Sequence, residues 1–205
     1  MRLGVVLLWC LFILCVTRAA ERSLSAMSLR VSSWAALSLL LLSANAFMVQ
    51  LAPEFAFNPG ALLLCIAAGI AAGKACGGLR LLQAAACAVP ASVAMLALAR
   101  MQATGVVTLP EPGLFLALVG FVFLIPLRKF PAAAIFGLTL APLLLCVWQA
   151  GLDLYAFGYA ILQIGGANAF DAQVAGAVIA GLLLAPYVRI KRISGASPSD
   201  SHASP

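Results

Sequence analysis

Side chains able to act as acids, bases or nucleophiles are few in this chain and stand far apart. Its six acids are Glu21, Glu54, Glu111, Asp153, Asp171 and Asp200, and no two fall at helical spacing inside an apolar run. G-x-S-x-G, P-loop and H-E-x-x-H patterns are absent, so the sequence shows no activated nucleophile, no phosphate cradle and no zinc-protease signature. The reading is that the protein is not an enzyme. The lone histidine, His202, lies in the polar tail Ser194 to Pro205, which leaves no imidazole in an apolar run for haem, copper or zinc. Cys10, Cys15, Cys65, Cys76, Cys87 and Cys146 all lie in or beside apolar runs without C-x-x-C spacing, and they read as small hydrophobes. Neither a metal nor a cofactor is expected. Lys74, at the end of a run, reads as an anchor whose ammonium reaches the interface.

The densest mix of aromatic and polar groups is Gly151 to Asp171, GLDLYAFGYAILQIGGANAFD. If a helix continues through it, Trp148, Tyr155 and Tyr159 recur at offsets of 7 and 4 and share one face, with Gln163 next. Such a face is either a ligand surface or an interfacial aromatic belt. Gly165-Gly166-Ala-Asn168-Ala-Phe-Asp171 then forms a flexible link to an acid at the start of the last apolar run. That acid is either a helix N-cap or a contact for a ligand N–H. Trp148, Tyr155, Tyr159, Asn168 and Asp171 are the candidate substrate-binding residues. Leu51 to Gly60, LAPEFAFNPG, is a stiff apolar loop, either a cover for a cavity between helices or an interfacial anchor.

The elements that must position these residues follow from composition. Of 205 residues, 64% are hydrophobic and 9% charged, with a mean hydropathy of +1.12, which describes an integral membrane protein and excludes a large soluble catalytic domain. The net charge of +6 does not point to nucleic acid, because basic residues stand in ones to threes between apolar runs. Six runs have roughly the length a helix needs to cross the hydrocarbon: Ser33 to Leu51, Phe57 to Gly73, Leu81 to Ala99, Glu111 to Leu127, Pro131 to Ala150 and Asp171 to Val188. An all-α bundle of six transmembrane helices is therefore expected over residues 27–193, followed by a disordered polar tail over 194–205.

Arg30, Lys74 with Arg80, Arg128 with Lys129, and Arg189, Lys191 and Arg192 fall on every second connection or end, whereas Glu54, Glu111, Asp153 and Asp171 fall on the others. The positive-inside rule then puts both termini of the six-helix unit in the cytoplasm, with Arg100 the one exception. Residues 1–26 form an additional hydrophobic segment that reads as a signal peptide, an extra span with its N-terminus outside, or an over-long gene start ahead of Met27. Gly69 with Gly73, and Ala172, Gly176 and Ala180, offer small-residue stripes for helix packing or a dimer.

Six helices, cytoplasmic ends, no catalytic motif and an aromatic outer face resemble the substrate-binding S components of energy-coupling-factor (ECF) vitamin transporters, most closely the biotin-specific BioY branch. The residues behind this are Ala52-Pro53 to Gly60 before an Ala/Gly-rich helix, Pro112-Gly113-Leu-Phe-Leu-Ala-Leu-Val-Gly120-Phe121, and Phe170-Asp171 before Leu-Ala-Pro-Tyr-Val-Arg. The chain departs from that pattern where the branch has Pro-Phe-x-x-Gly-Asp followed by a lysine: here stand Asn168-Ala-Phe-Asp171 and Val174. The resemblance implies a multi-pass subunit of the cell (inner or plasma) membrane that binds a small vitamin such as biotin at its outer face. It further implies ECF partners, a transmembrane coupling subunit and a pair of ATPase subunits. Coupling in such proteins uses a small-residue stripe on the first helix, for which Ser32-x-x-x-Ala36 is a partial match.

Overall fold

The computed structural model describes residues 3–16 and 31–195, which leaves residues 17–30, with Arg18, Arg22 and Arg30, and the tail from 196 onward outside the described residues. Within them the chain is mostly helical. The helices are α1 Leu3–Val16, α2 Val31–Asn45, α3 Pro59–Cys76, α4 Gly78–Ala103, α5 Pro112–Leu124, α6 Pro131–Phe157 and α7 Ala167–Gly195, with a 3-10 turn, Ile125–Leu127, continuing α5. Three short strands accompany them: β1 Val49–Ala52, β2 Phe55–Phe57 and β3 Leu162–Ile164.

Local chemistry explains where these elements differ from the apolar runs. α2 ends at Asn45, because the chain beyond it turns back as a hairpin in which Val49 faces Phe57 and Gln50 faces Ala56. The stiff loop LAPEFAFNPG is thus half strand, with Pro53 and Glu54 at the hairpin turn and Pro59 and Gly60 in the next helix. Asn58 starts α3: its Oδ1 accepts from the N–H groups of Gly60 (2.9 Å) and Ala61 (3.4 Å), and Pro59 occupies the first helical position, where its missing N–H costs nothing. Pro126 shortens α5 to Leu124 by tightening its end into the 3-10 turn, whereas α4 and α6 run through Pro90 and Pro142. α6 continues through Tyr155 but stops at Phe157, where Gly158 adopts the left-handed conformation with φ 74° and its N–H bonds to the carbonyl of Leu154. A helix carrying Tyr159 and Gln163 on the face of Trp148 is therefore not formed. The last helix starts earlier than expected, with the Phe170 N–H bonded to the Gly166 carbonyl, so Asp171 lies inside α7 and does not cap it.

α3, α4 and α6 are long and apolar enough to cross a membrane, and α1, α2, α5 and α7 contain shorter apolar segments. The polarity is that of a protein in lipid: Ile66, Ile70, Val89, Val93 and Leu182 are exposed, while Ser92, Thr139 and Gln173 are fully buried. The chain is membrane-associated. α6 lies at the centre of the bundle, packed on α4, α7 and α3. One apolar cluster joins Leu124, Leu127, Leu138 and Leu184, and another joins Met95, Leu116, Leu145 and Ala172. The stripe Ala172, Gly176, Ala180 is spent inside the molecule, with Gly176 against Leu138 of α6. Gly69 likewise faces Phe136, whereas Gly73 has open space before it.

The N-terminal segment is part of this packing. Leu8 of α1 is buried in a third cluster with Leu41, Ala61, Cys65, Leu143, Phe170 and Val174, and α1 packs on both α2 and α7. Its first turn meets the start of α7, where the Gly4 N–H donates to Asp171. α1 therefore runs parallel to α7, α3 and α5, and opposite to α2, α4 and α6.

Candidate functional site

The connections α2–α3 and α6–α7 meet at one end of the bundle. β1 and β2 form the antiparallel hairpin, and β3 adds to β2 in parallel, Phe55 facing Leu162 and Phe57 facing Ile164. The ladder is extended at both ends, by Leu162 N–H to the Glu54 carbonyl and Asn58 N–H to the Ile164 carbonyl, each 2.8 Å. Gly165 closes it at φ 74°, pressed on the Cβ of Ala61, so the turn needs both the left-handed backbone and the absence of a side chain.

Around this sheet the candidate residues are distributed as follows. Trp148, 43% exposed, donates its indole N–H to Ser92 Oγ of α4 at 3.0 Å, and Ser92 in turn donates to the Val89 carbonyl at 2.7 Å. Tyr155 and Tyr159 are 91% and 70% exposed. Asn168 is exposed near the start of α7. Asp171 is buried, accepts from the Gly4 N–H at 3.0 Å, and lies against Gly113 of α5, where an added Cβ would come within 2.7 Å of its own. The carboxylate thus sits at the junction of α1, α5 and α7, directed at a helix start whose amides lack intrahelical partners. The tyrosines open outward, Trp148 turns to α4, and Asp171 turns to α1.

Arg100, the exception to the charge pattern, donates to Asp153 at 2.6 Å. This pairing of the last turns of α4 and α6 keeps a cation at the acidic end of the bundle. At the opposite end the Arg80 guanidinium lies 4.3 Å from the centre of the Phe130 ring, next to Arg128 and Lys129 in the chain.

Three polar groups escaped the sequence reading. Gln173, fully buried, donates through Nε2 to the carbonyls of Thr139 (2.6 Å) and Ala61 (3.4 Å), tying α7 to α6 and α3. Its Oε1 has no partner among the described residues. Asn58 Nδ2 donates to Asn45 Oδ1 at 2.6 Å, joining α2 to the cap of α3. Asn58-Pro59-Gly60 carries the usual N-cap signal, but nothing in the sequence ties it to Asn45. A groove of about 470 Å³ between α1 and α2 is lined by Val5, Trp9, Leu39, Leu42, Ser43, Asn45 and Ala46.

These groups can donate and accept hydrogen bonds and offer ring surface, which is the chemistry of binding. No cluster of three or more His, Cys, Asp or Glu side chains able to hold a metal occurs among the described residues. Comparison with protein-family models, with curated proteins and with solved structures finds no match for this chain.

Proposed function

We propose that this chain is the membrane-embedded substrate-binding subunit of a vitamin uptake transporter, with biotin as the vitamin. In this reading α2 to α7 are six spans and the sheet end faces outward. The end bearing Lys74, Arg80, Arg128 and Lys129 then lies in the cytoplasm of a cell (inner or plasma) membrane, as the charge rule requires. A coupling subunit and ATPase subunits supply the energy, and this subunit binds the vitamin and hydrolyses nothing.

The observation that carries the reading is the construction of the sheet end. Two distant connections are knitted by main-chain hydrogen bonds into a fixed platform, and Tyr155 and Tyr159 lie in the stretch of chain that leads into the strand β3 that completes it. Exposed rings at the last turn of α6 and in the following link can turn in over a ligand resting there. Each ring brings a large apolar area and a hydroxyl for a polar ligand group.

The test is equilibrium binding of labelled biotin to the full chain in lipid nanodiscs. Wild type binds saturably, and Tyr155→Ala and Tyr159→Ala each weaken binding at least tenfold. If both variants keep wild-type affinity, these rings are not the site. A second reading, a structural or assembly protein without a small ligand, is favoured by how far Tyr155 and Tyr159 are exposed, as residues of an interfacial belt are. Failure of the wild-type chain to bind biotin or any other vitamin selects that reading.

A further inference from the structure

At the end of the bundle away from the sheet, Lys74, Arg80, Arg128 and Lys129 gather from α3, α4 and the connection between α5 and α6, and no acid among the described residues shares that end. Sorting of this kind orients a chain in a membrane by charge alone, without any fixed arrangement of the cations. Arg80 goes further, because its guanidinium is held in place. Its central carbon lies 4.3 Å from the centre of the Phe130 ring, and Nη1 donates to Gln83 Oε1 at 2.6 Å. The first contact joins the start of α4 to the residue before α6, and the second comes from one turn further along α4. Nε and Nη2, which share one edge of the planar group, have no partner among the described residues, and neither atom is buried. Two N–H groups on one edge are the fork that takes two oxygens of an anion at once. The ring and Gln83 have already removed much of the rotamer freedom that an unheld arginine loses on binding.

We propose that this corner is a headgroup site for an anionic phospholipid, whose phosphate accepts from Nε and Nη2 of Arg80 and whose charge is balanced by the exposed Lys74 and Lys129. Charge selects the occupant. A zwitterionic headgroup brings its own cation to a surface that holds four cations and no acid among the described residues, whereas an anionic headgroup brings none. α4 and α6 both start here without a side-chain cap, so the positive ends of two helices add to the same field. Leu79 and Leu82, on either side of Arg80 in the chain, are 68% and 67% exposed, and they offer apolar surface to the acyl chains of a lipid held by its phosphate. The site lies at the opposite end from the tyrosines and stands whether or not they bind a vitamin.

Native mass spectrometry of the full chain, titrated in detergent with phosphatidylglycerol or with phosphatidylcholine of the same acyl chains, tests the site. Phosphatidylglycerol is expected to bind and phosphatidylcholine to be lost. Arg80→Gln should weaken phosphatidylglycerol by roughly tenfold or more, beyond the roughly fivefold, or about 1 kcal/mol, that any basic residue near an anionic surface contributes. Phe130→Leu keeps every charge but releases Arg80 from the ring, and it should weaken the lipid by about twofold to fivefold. Arg100→Gln removes a cation at the sheet end and should change nothing. Equal binding of the two lipids overturns the proposal. So does a loss in Lys74→Gln as large as that in Arg80→Gln together with wild-type binding in Phe130→Leu, since a diffuse surface charge behaves that way. Displacement of phosphatidylglycerol by an equal concentration of inorganic phosphate overturns the lipid assignment and gives the fork to a free anion.

Discussion

The carboxylate of Asp171 satisfies an amide in the first turn of α1, where four donors have no acceptor within their own helix, and its charge sits at the positive end of that helix. Loss of the acceptor leaves a buried N–H unpaired at a cost of about 1–3 kcal/mol. Asp171→Ala is therefore expected to lower the thermal midpoint of the purified chain, by about 2–4 °C for each kcal/mol in a protein of this size. It should also make α1 more accessible to protease. Asp171→Asn retains an oxygen for Gly4 and stays close to wild type, and an equal drop in both variants shows that the hydrogen bond is not what Asp171 contributes. From sequence this residue read as a cap or a ligand contact. It does not cap its own helix but accepts from the start of a different one, and no local spacing links position 171 to position 4. The same applies to Asn45 with Asn58 and to Gln173 with Thr139: polar residues in apolar runs are visible at once, but their partners come from other elements. Trp148 stands out in the sequence as a candidate binding residue, while its partner Ser92 lies two helices away.

Hydropathy located the helices because apolar length is a strong local signal, and it misplaced their ends where glycine, proline or strand pairing decides. Gly158 ended α6 before Tyr159, and the pairing of β1 with β2 claimed residues that an apolar count assigned to α2. Strands of three or four residues carry no periodicity long enough to read, and β3 exists only through its pairing with β2. Two glycines on either side of the α6 terminus provide a controlled comparison. Gly165→Ala forces a left-handed residue to carry a Cβ, at about 1–2 kcal/mol, and drives that Cβ into Ala61. Gly151→Ala meets nothing within 4 Å and gains up to about 1 kcal/mol of helix propensity. Chemical denaturation in mild detergent should separate the two by at least 2 kcal/mol, and equal stabilities would show that the turn at Gly165 is not held as described. Between α4 and α6, the Arg100–Asp153 pair is partly exposed, so a double-mutant cycle with Arg100→Gln and Asp153→Asn should return only about 0.2–1 kcal/mol. A coupling near zero would mean that the two charges sit at that end independently.

Among the described residues charge is sorted by end, Arg100 apart. Glu54, Glu111, Asp153 and Asp171 share the end that carries the sheet, while Lys74, Arg80, Arg128 and Lys129 share the other. Reporter fusions after Glu111 and after Lys129 are expected to give opposite signals, outside and cytoplasmic respectively, and the same signal from both would dissolve the six-span arrangement. The sorting itself was legible from the sequence, because connections alternate whenever helices do. Helix α1 starts at the sheet end and so leaves the two ends of the described chain at opposite ends of the bundle, the direction of the extra span with its N-terminus on the side of the acidic connections. The parallel pairing of β2 with β3 also sets an order in time. Phe55 cannot meet Leu162 until α3, α4, α5 and α6 have all been synthesised, and contacts so distant along the chain form slowly. Until then β2 presents an unpaired edge, open to pairing with another chain. A chain cut short after α6 lacks β3 and keeps that edge open, so the last stretch of synthesis decides whether the sheet closes or stays free to pair with another chain.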